Sequence, residues 1–154
     1  EAPAGAACAE RVVMGANDGR IYALDAKTGK PCEGFGEGGS VQVAWDRPSR
    51  WKGEAKIASA PVIVNGVIAT GAFVMDNLRT DAPSGTVYAF DARTGAPKWQ
   101  FHTIPRDPAD PGYATWLEGS AERSGAANVW STMVADPKLN LIFAPVGSAS
   151  PDFW

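Results

Sequence analysis

One eleven-residue stretch occurs twice in this chain, and that repetition limits the available folds more than any other feature. Gly19-Arg-Ile-Tyr-Ala-Leu-Asp25-Ala-Lys-Thr-Gly29 aligns with Gly85-Thr-Val-Tyr-Ala-Phe-Asp91-Ala-Arg-Thr-Gly95 at an offset of 66 residues, without a gap. Sheets that recur at a fixed period imply a propeller or a solenoid, because each unit buries its face against the next. The 17 glycines and 12 prolines agree, since they favour short strands joined by tight turns over long helices.

The best-written unit runs from Ala60 to Phe101. Pro61-Val-Ile-Val64, Asn65-Gly66 and Val67-Ile-Ala-Thr70 predict a hairpin, because Asn-Gly suits a type I′ turn whose central residues both need positive φ. Gly85–Asp91 supplies a third strand, Ala92–Gly95 a turn and Pro97–Phe101 a fourth strand. In the earlier copy, Arg11–Gly15 and the turn at Asn17-Asp-Gly19 stand where the preceding strand belongs. A third unit is expected to open with a strand at Val129–Ala135, turn at Asp136–Asn140 and return along Leu141–Val146. The expected class is therefore all-β, built of antiparallel four-stranded blades. A first blade is expected at about 9–45, a second at about 59–102 and half of a third at about 129–148, within one partial propeller over 1–154 that stops before the third is complete. The connections 46–58 and 103–128 are expected to be irregular, and loops of that size are usually functional or partner-facing.

Several function classes are disfavoured. A net charge of −3 without a Lys/Arg cluster gives no footprint for nucleic acid. No apolar run approaches the roughly 18 residues of a membrane span. The start of the chain lacks a basic-then-apolar profile, so any targeting segment is expected to lie outside it. Cys8 and Cys32 are too few for a disulfide scaffold and lack metal-site spacing. They could form one bridge, valued at roughly 3–4 kcal/mol by loop entropy, or remain two free thiols buried as small hydrophobes. His102, the single histidine, makes neither a metal cluster nor a triad and is expected on a blade surface.

The complete unit carries Ala89-x-Asp91-x-x-Thr94-Gly95-x-x-x-Trp99. Asp91 and Thr94 can bond backbone amides across the turn, Gly95 can take positive φ, and Trp99 can pack on a neighbouring sheet. This spacing resembles the tryptophan-docking motif of the pyrroloquinoline-quinone (PQQ) dependent, or quinoprotein, dehydrogenases, in which eight such sheets ring a central cofactor. The first copy departs from it, with Glu33 in place of the tryptophan and Cys32 beside it. That blade must close differently, and the resemblance favours the Cys8–Cys32 bridge. Ile21–Gly36, Asp76-Asn77-x-x-Thr80-Asp81-x-Pro83-Ser84-Gly85, Asn128-Val-Trp130, Asp136–Leu141 and Ser150-Pro-Asp-Phe-Trp154 are similar, in order, to segments of the membrane-bound glucose, quinate and polyol branch. Non-catalytic propellers, including bacterial outer-membrane assembly scaffolds, also carry the docking motif. A protein-binding scaffold is therefore the alternative reading, and a sugar-binding module using surface aromatics is a third.

The resemblance implies roles for particular residues. Asp76 matches a carboxylate that ligates Ca²⁺ (or Mg²⁺), a hard cation that wants anionic oxygen; the other reading is a solvated loop acid. Asn77 would orient that site. Trp130 matches the indole floor beneath PQQ, where a flat tricycle needs a rigid apolar support; otherwise it is a core tryptophan. Ser148 stands where the methanol and ethanol relatives have an asparagine metal ligand, a departure that weakens the contact and argues against that branch. Ala58 stands where relatives often have a threonine bonding PQQ, and neighbouring Ser59 is the candidate there, although alternate strand residues face opposite sides. Trp99 is read as structural. The family's catalytic aspartate would come from a later blade and its PQQ-pairing arginine from before this chain, so no catalytic residue is assigned. The implied parent is a periplasmic enzyme, soluble or facing the periplasm from an inner-membrane anchor. It would oxidise a sugar, cyclic polyol or alcohol, glucose-type favoured, and pass electrons to ubiquinone or a cytochrome. Membrane association would run through absent segments, and unpaired strand edges predict self-association.

Overall fold

The structure, a computed structural model, describes residues 6–152. Phe153 and Trp154 of the last family-like segment therefore lie outside the described residues. The first sheet contains β1 (Arg11–Gly15), β2 (Arg20–Asp25) and β3 (Ser40–Gln42), antiparallel in that order. Next come β4 (Ala55–Lys56), β5 (Val62–Val64), β6 (Val67–Thr70), β7 (Phe73–Val74), β8 (Val87–Asp91) and β9 (Pro97–Phe101). Of these, β5-β6-β8-β9 form a four-stranded antiparallel sheet, and β4 pairs separately with β7. After a short helix α1 (Ser120–Arg123), β10 (Val134–Asp136) and β11 (Leu141–Phe143) form a two-stranded pair.

Local chemistry explains the joints. Asn65 and Gly66 carry φ of 46° and 78°, the paired positive values that the hairpin expectation required. The two copies of Asp-x-x-Thr-Gly fold alike. Asp91 Oδ1 accepts from the amides of Arg93 (3.0 Å) and Thr94 (2.9 Å) and from Thr94 Oγ1 (3.0 Å). Asp25 Oδ1 does the same with Lys27, Thr28 and Thr28 Oγ1 at 3.1, 2.9 and 3.0 Å. Gly95 and Gly29 close the turns at φ 73° and 70°. Amide donors from Thr94 and then Arg93 hold the Asp91 carboxyl down to about 2. Asp136 repeats the device between β10 and β11, where Asn140 supplies the left-handed residue at φ 55°.

The core lies between the sheets. On β8, Tyr88 and Phe90 face the first sheet and pack with Ile21, Phe35, Val43 and Ile57. Val87 and Ala89 face the other way, onto Val129 and Met133. That is why Val87–Phe90 is buried throughout although the strand alternates. Trp45 meets Tyr88 edge-on, with ring centroids 6.0 Å apart. Trp99 is 44% exposed and lines a cleft with Val41, Gln42 and Ala44 of the first sheet, so its packing is partial.

Cys8 and Cys32 are joined in a disulfide, with Cα atoms 5.8 Å apart. Beside it, Arg11 donates to the carbonyls of Cys8, Ala92 and Arg93, tying this corner to the Asp91 turn of the next sheet. Gly36 N–H also donates to the Thr94 carbonyl at 2.8 Å. The sheet that lacks the docking tryptophan is thus fastened by a covalent bridge, an arginine clamp and buried Phe35.

Three expectations need correction. The connections are not wholly irregular: 46–58 contributes β4, and 103–128 contains α1 and 3-10 turns at Tyr113–Thr115 and Leu117–Gly119. The strand expected from Val129 begins only at Val134, because Val129 is engaged by Gly71 instead of a ladder partner. His102 is half-buried, with Nδ1 2.8 Å from Asp110 Oδ2, and so is not a plain surface residue. Asp110 is held at about 2 by the Arg106 amide first, then by His102 and the Asp107 amide. Arginines pin the longer connection through its carbonyls. Arg47 donates to Ala82, Glu122 and Ser124, and Arg106 donates to Ala121 and Ser124 while pairing with Asp46 at 2.9 Å.

Candidate functional site

Asp76 and Asn77 follow β7, and three buried polar residues fix where they stand. Glu54 is fully buried, accepts from Arg79 Nε at 2.5 Å and from the Arg50 amide at 2.6 Å, and lends its own carbonyl to the Met75 amide at 2.9 Å. Asn128, 2% exposed, acts as a strand partner for Val74. Its Oδ1 accepts the Val74 amide at 3.0 Å and its Nδ2 donates to the Val74 carbonyl at 2.7 Å. Ser150 Oγ, also buried, donates to the carbonyls of Asp76 and Arg79. A loop with so few ladder bonds is held by side chains that replace the backbone partners it lacks.

Among the described residues the Asp76 carboxylate receives only amide donors, Asn77 Nδ2 at 3.2 Å and Asn128 Nδ2 at 3.4 Å. Among the described residues no lysine, arginine or histidine pairs with it. Arg79, the nearest cation in sequence, is committed to Glu54 and Asp81. Asp76 is therefore an oriented anionic oxygen pair without a counter-charge. The Asn77 side chain turns its N–H to Asp76, and its Oδ1 accepts the Asp152 amide at 3.4 Å. The carboxylate fits one share of a hard-cation site. It is a share only, because the described residues hold no cluster of three acidic, cysteine or histidine ligands.

Trp130 is placed by glycine. A Cβ on Gly71 would come within 2.0 Å of the Val129 carbonyl oxygen, so only glycine lets the end of β6 touch this segment. Val129 is fully buried by the contact, and the next side chain, Trp130, points out with 59% of its surface exposed. The same device stands one sheet earlier, where Gly15 abuts Ile57, which is 2% exposed, and the following Ala58 is exposed. Ala58 and Trp130 thus occupy equivalent positions in successive sheets. An open indole of this kind fits the face of a flat aromatic group.

Ser59 is buried, with its hydroxyl 3.4 Å from the Gly71 carbonyl. Its side chain turns under β6, away from the exposed side shared by Ala58 and Trp130. Ser148 is exposed, and its carbonyl accepts the Ala127 amide at 3.0 Å, while the Gly147 amide donates to the Asn128 carbonyl at 2.9 Å. Asn128 is therefore the hub: its side chain bonds Val74 and Asp76, its carbonyl accepts the Gly147 amide, and Trp130 lies two residues on. Asn128 thus links Asp76 directly to the segment that presents Trp130, while Ser59 bonds the Gly71 carbonyl instead. Sequence reasoning gave no role to Asn128 or Ser150, although both fall inside family-like segments. No local signal marked them; in the structure the two residues before Asn128, Ala126 and Ala127, adopt φ of 58° and 55°. Left-handed alanines cost roughly 1–2 kcal/mol each and persist only where the surroundings over-determine them.

Residues 1–154 match the family described as "PQQ: Glucose/ethanol/alcohol dehydrogenase, beta-propeller domain". The chain is 36% identical over 148 residues to the quinate/shikimate dehydrogenase (quinone) of Acinetobacter baylyi, covering 96% of this chain and 18% of that protein. It is 32% identical over 148 residues to quinoprotein glucose dehydrogenase A of Acinetobacter calcoaceticus, with the same coverage. The solved structure of quinohemoprotein alcohol dehydrogenase ADHIIG from Pseudomonas putida HK5 superposes with a TM-score of 0.66 at 32% identity, over 91% of this chain and 20% of that one. The chain thus spans about a fifth of the length of the relatives it matches. Repeated antiparallel sheets accord with that match, and the chain belongs to the β-propeller domain family of the PQQ-dependent glucose, ethanol and alcohol dehydrogenases.

Proposed function

We propose that the protein carrying this chain is a PQQ-dependent dehydrogenase that oxidises a sugar, cyclic polyol or alcohol, with a glucose-type substrate favoured. In this reading its electrons pass to ubiquinone or a cytochrome, and the site faces the periplasm. The observation that carries the proposal is the pairing, through Asn128, of a carboxylate lacking a counter-charge with an outward-facing indole.

Within that reading each residue has a defined task. Trp130 supports the flat cofactor from one side and keeps water from that face. Asp76 supplies anionic oxygen to Ca²⁺ or Mg²⁺, and the Ser148 hydroxyl completes the share of ligands this chain offers. Asn77 also borders the cofactor. Ser59 supports the site from beneath through the Gly71 carbonyl, a more indirect role than bonding the cofactor. When bound, PQQ supplies a hydride-accepting carbonyl and the cation supplies Lewis acidity beside it. No group in this chain is assigned as the base that takes the substrate proton.

The test is reconstitution of the full-length gene product with PQQ and Ca²⁺, followed by dye-linked assays on glucose, quinate, glycerol and ethanol. Turnover of at least one of them is expected, with loss on Asp76→Ala. PQQ binding without turnover of any sugar, polyol or alcohol would refute the enzymatic reading.

A further inference from the structure

Both amide hydrogens of Asn128 are committed, and its oxygen accepts one bond. One acceptor and one donor close a mimic of a β-bridge on Val74, at 3.0 and 2.7 Å, and the remaining donor reaches Asp76 Oδ2 at 3.4 Å. The residue is buried, follows two left-handed alanines and precedes the valine locked against Gly71. A structural amide needing only to satisfy Val74 would not also have to aim at the carboxylate two residues along. The Asp76 carbonyl is separately held by Ser150 and its Oδ1 by Asn77 Nδ2 at 3.2 Å, so Asn128 is the donor that holds the other carboxylate oxygen.

We propose that Asn128 is a positioning residue for the cation site. It sets the orientation of the Asp76 carboxylate and ties it to the segment that presents Trp130, so that ion and indole keep one spacing. The proposal rests on Asp76 being a cation ligand. Partners that orient a metal ligand typically change metal affinity about 10–100-fold when removed. Mg²⁺ demands near-ideal octahedral geometry whereas Ca²⁺ tolerates irregular sets, so a carboxylate that has lost one of its two orienting donors should harm Mg²⁺ binding more than Ca²⁺ binding.

The experiment titrates Ca²⁺ alone, and then Mg²⁺ alone, into the metal-free full-length gene product by calorimetry. Wild type is compared with Asn128→Ala, Asp76→Ala and Val87→Ala. Val87 is 3% exposed and packs on Val129 from β8, so its truncation destabilises the same interface without touching Asp76. Asn128→Ser, whose shorter hydroxyl stays polar but does not reach Asp76, replaces the alanine variant if that one fails to fold. The expected result is a Ca²⁺ affinity about 10-fold or more below wild type for the Asn128 variant, a larger loss for Mg²⁺, and little change for Val87→Ala. Equal loss in Val87→Ala, an unchanged Ca²⁺/Mg²⁺ ratio, or affinity within about two-fold of wild type would overturn the role of Asn128. Failure of wild type to take up either ion, or Asp76→Ala binding as well as wild type, would instead overturn the cation reading beneath it.

Discussion

Gly71→Ala is the substitution that most directly probes how the fold builds its rim. The added methyl would stand 2.0 Å from the Val129 carbonyl oxygen, 2.6 Å from Val129 Cβ and 2.8 Å from Val129 Cγ1. The closest atom belongs to backbone, and Val129 is fully buried, so no flexible side chain can swing aside. Overpacking a core typically costs about 1–3 kcal/mol, and a backbone obstacle places this case near about 3. At about 2–4 °C per kcal/mol for a chain of this size, the melting temperature should fall by about 6–12 °C. Urea unfolding followed by tryptophan fluorescence measures the change. Gly34→Ala is the control, because a methyl there meets nothing within 4 Å and the backbone is not left-handed; a shift within about 0.5 kcal/mol is expected. If Gly71→Ala unfolds at the same urea concentration as wild type, the segment 128–130 does not lie against β6 as described, and the placement of Trp130 falls with it.

Three other outcomes are expected. Trp130→Ala should weaken PQQ binding, read as loss of fluorescence quenching, while changing the urea midpoint little, because 59% of the side chain is already exposed. Glu54→Ala removes the fully buried partner of Arg79, which keeps only the half-exposed Asp81, and should destabilise by about 3 kcal/mol in the same unfolding assay. The Asp91 carboxyl is depressed from 3.8 to about 2, so its contribution is fully present above about pH 4 and fades as pH falls towards about 2. The stability gap between wild type and Asp91→Asn should therefore narrow over that window in acid titrations, and a gap independent of pH would contradict it.

What could be read from the sequence was what local chemistry decides. Asn65-Gly66 specifies its turn through two positive φ values, and the Asp-x-x-Thr-Gly copies specify theirs through amides within three residues of the carboxylate. The separation of β8 into two differently packed faces was hidden, because a strand buried on both sides shows no polar alternation. Two-residue strands such as β4 and β7 have no period to detect. The late start of β10 depends on a contact between Gly71 and Val129, far apart in sequence, which no window around residue 129 contains. At the site, Asp76 and Trp130 were named by resemblance. Asn128 went unassigned because its importance lies in the three bonds it makes across 54 and 52 positions.

The two glycine contacts also explain how a repeated scaffold acquires an unrepeated site. Gly15 receives Ile57 and Gly71 receives Val129, and in each case the following residue is forced outward and the next is a serine. Backbone geometry therefore presents one exposed side chain per sheet at the same place, whatever that side chain is. After the Gly15 contact it is Ala58, too small to support or obstruct anything; after the Gly71 contact it is Trp130, the largest available surface. A flat ligand needs one broad support and clearance elsewhere, since two indoles in adjacent positions would compete for the same space. The repeat fixes where such residues stand, and the difference between alanine and tryptophan, together with the carboxylate that Asn128 holds nearby, decides which of those positions can bind.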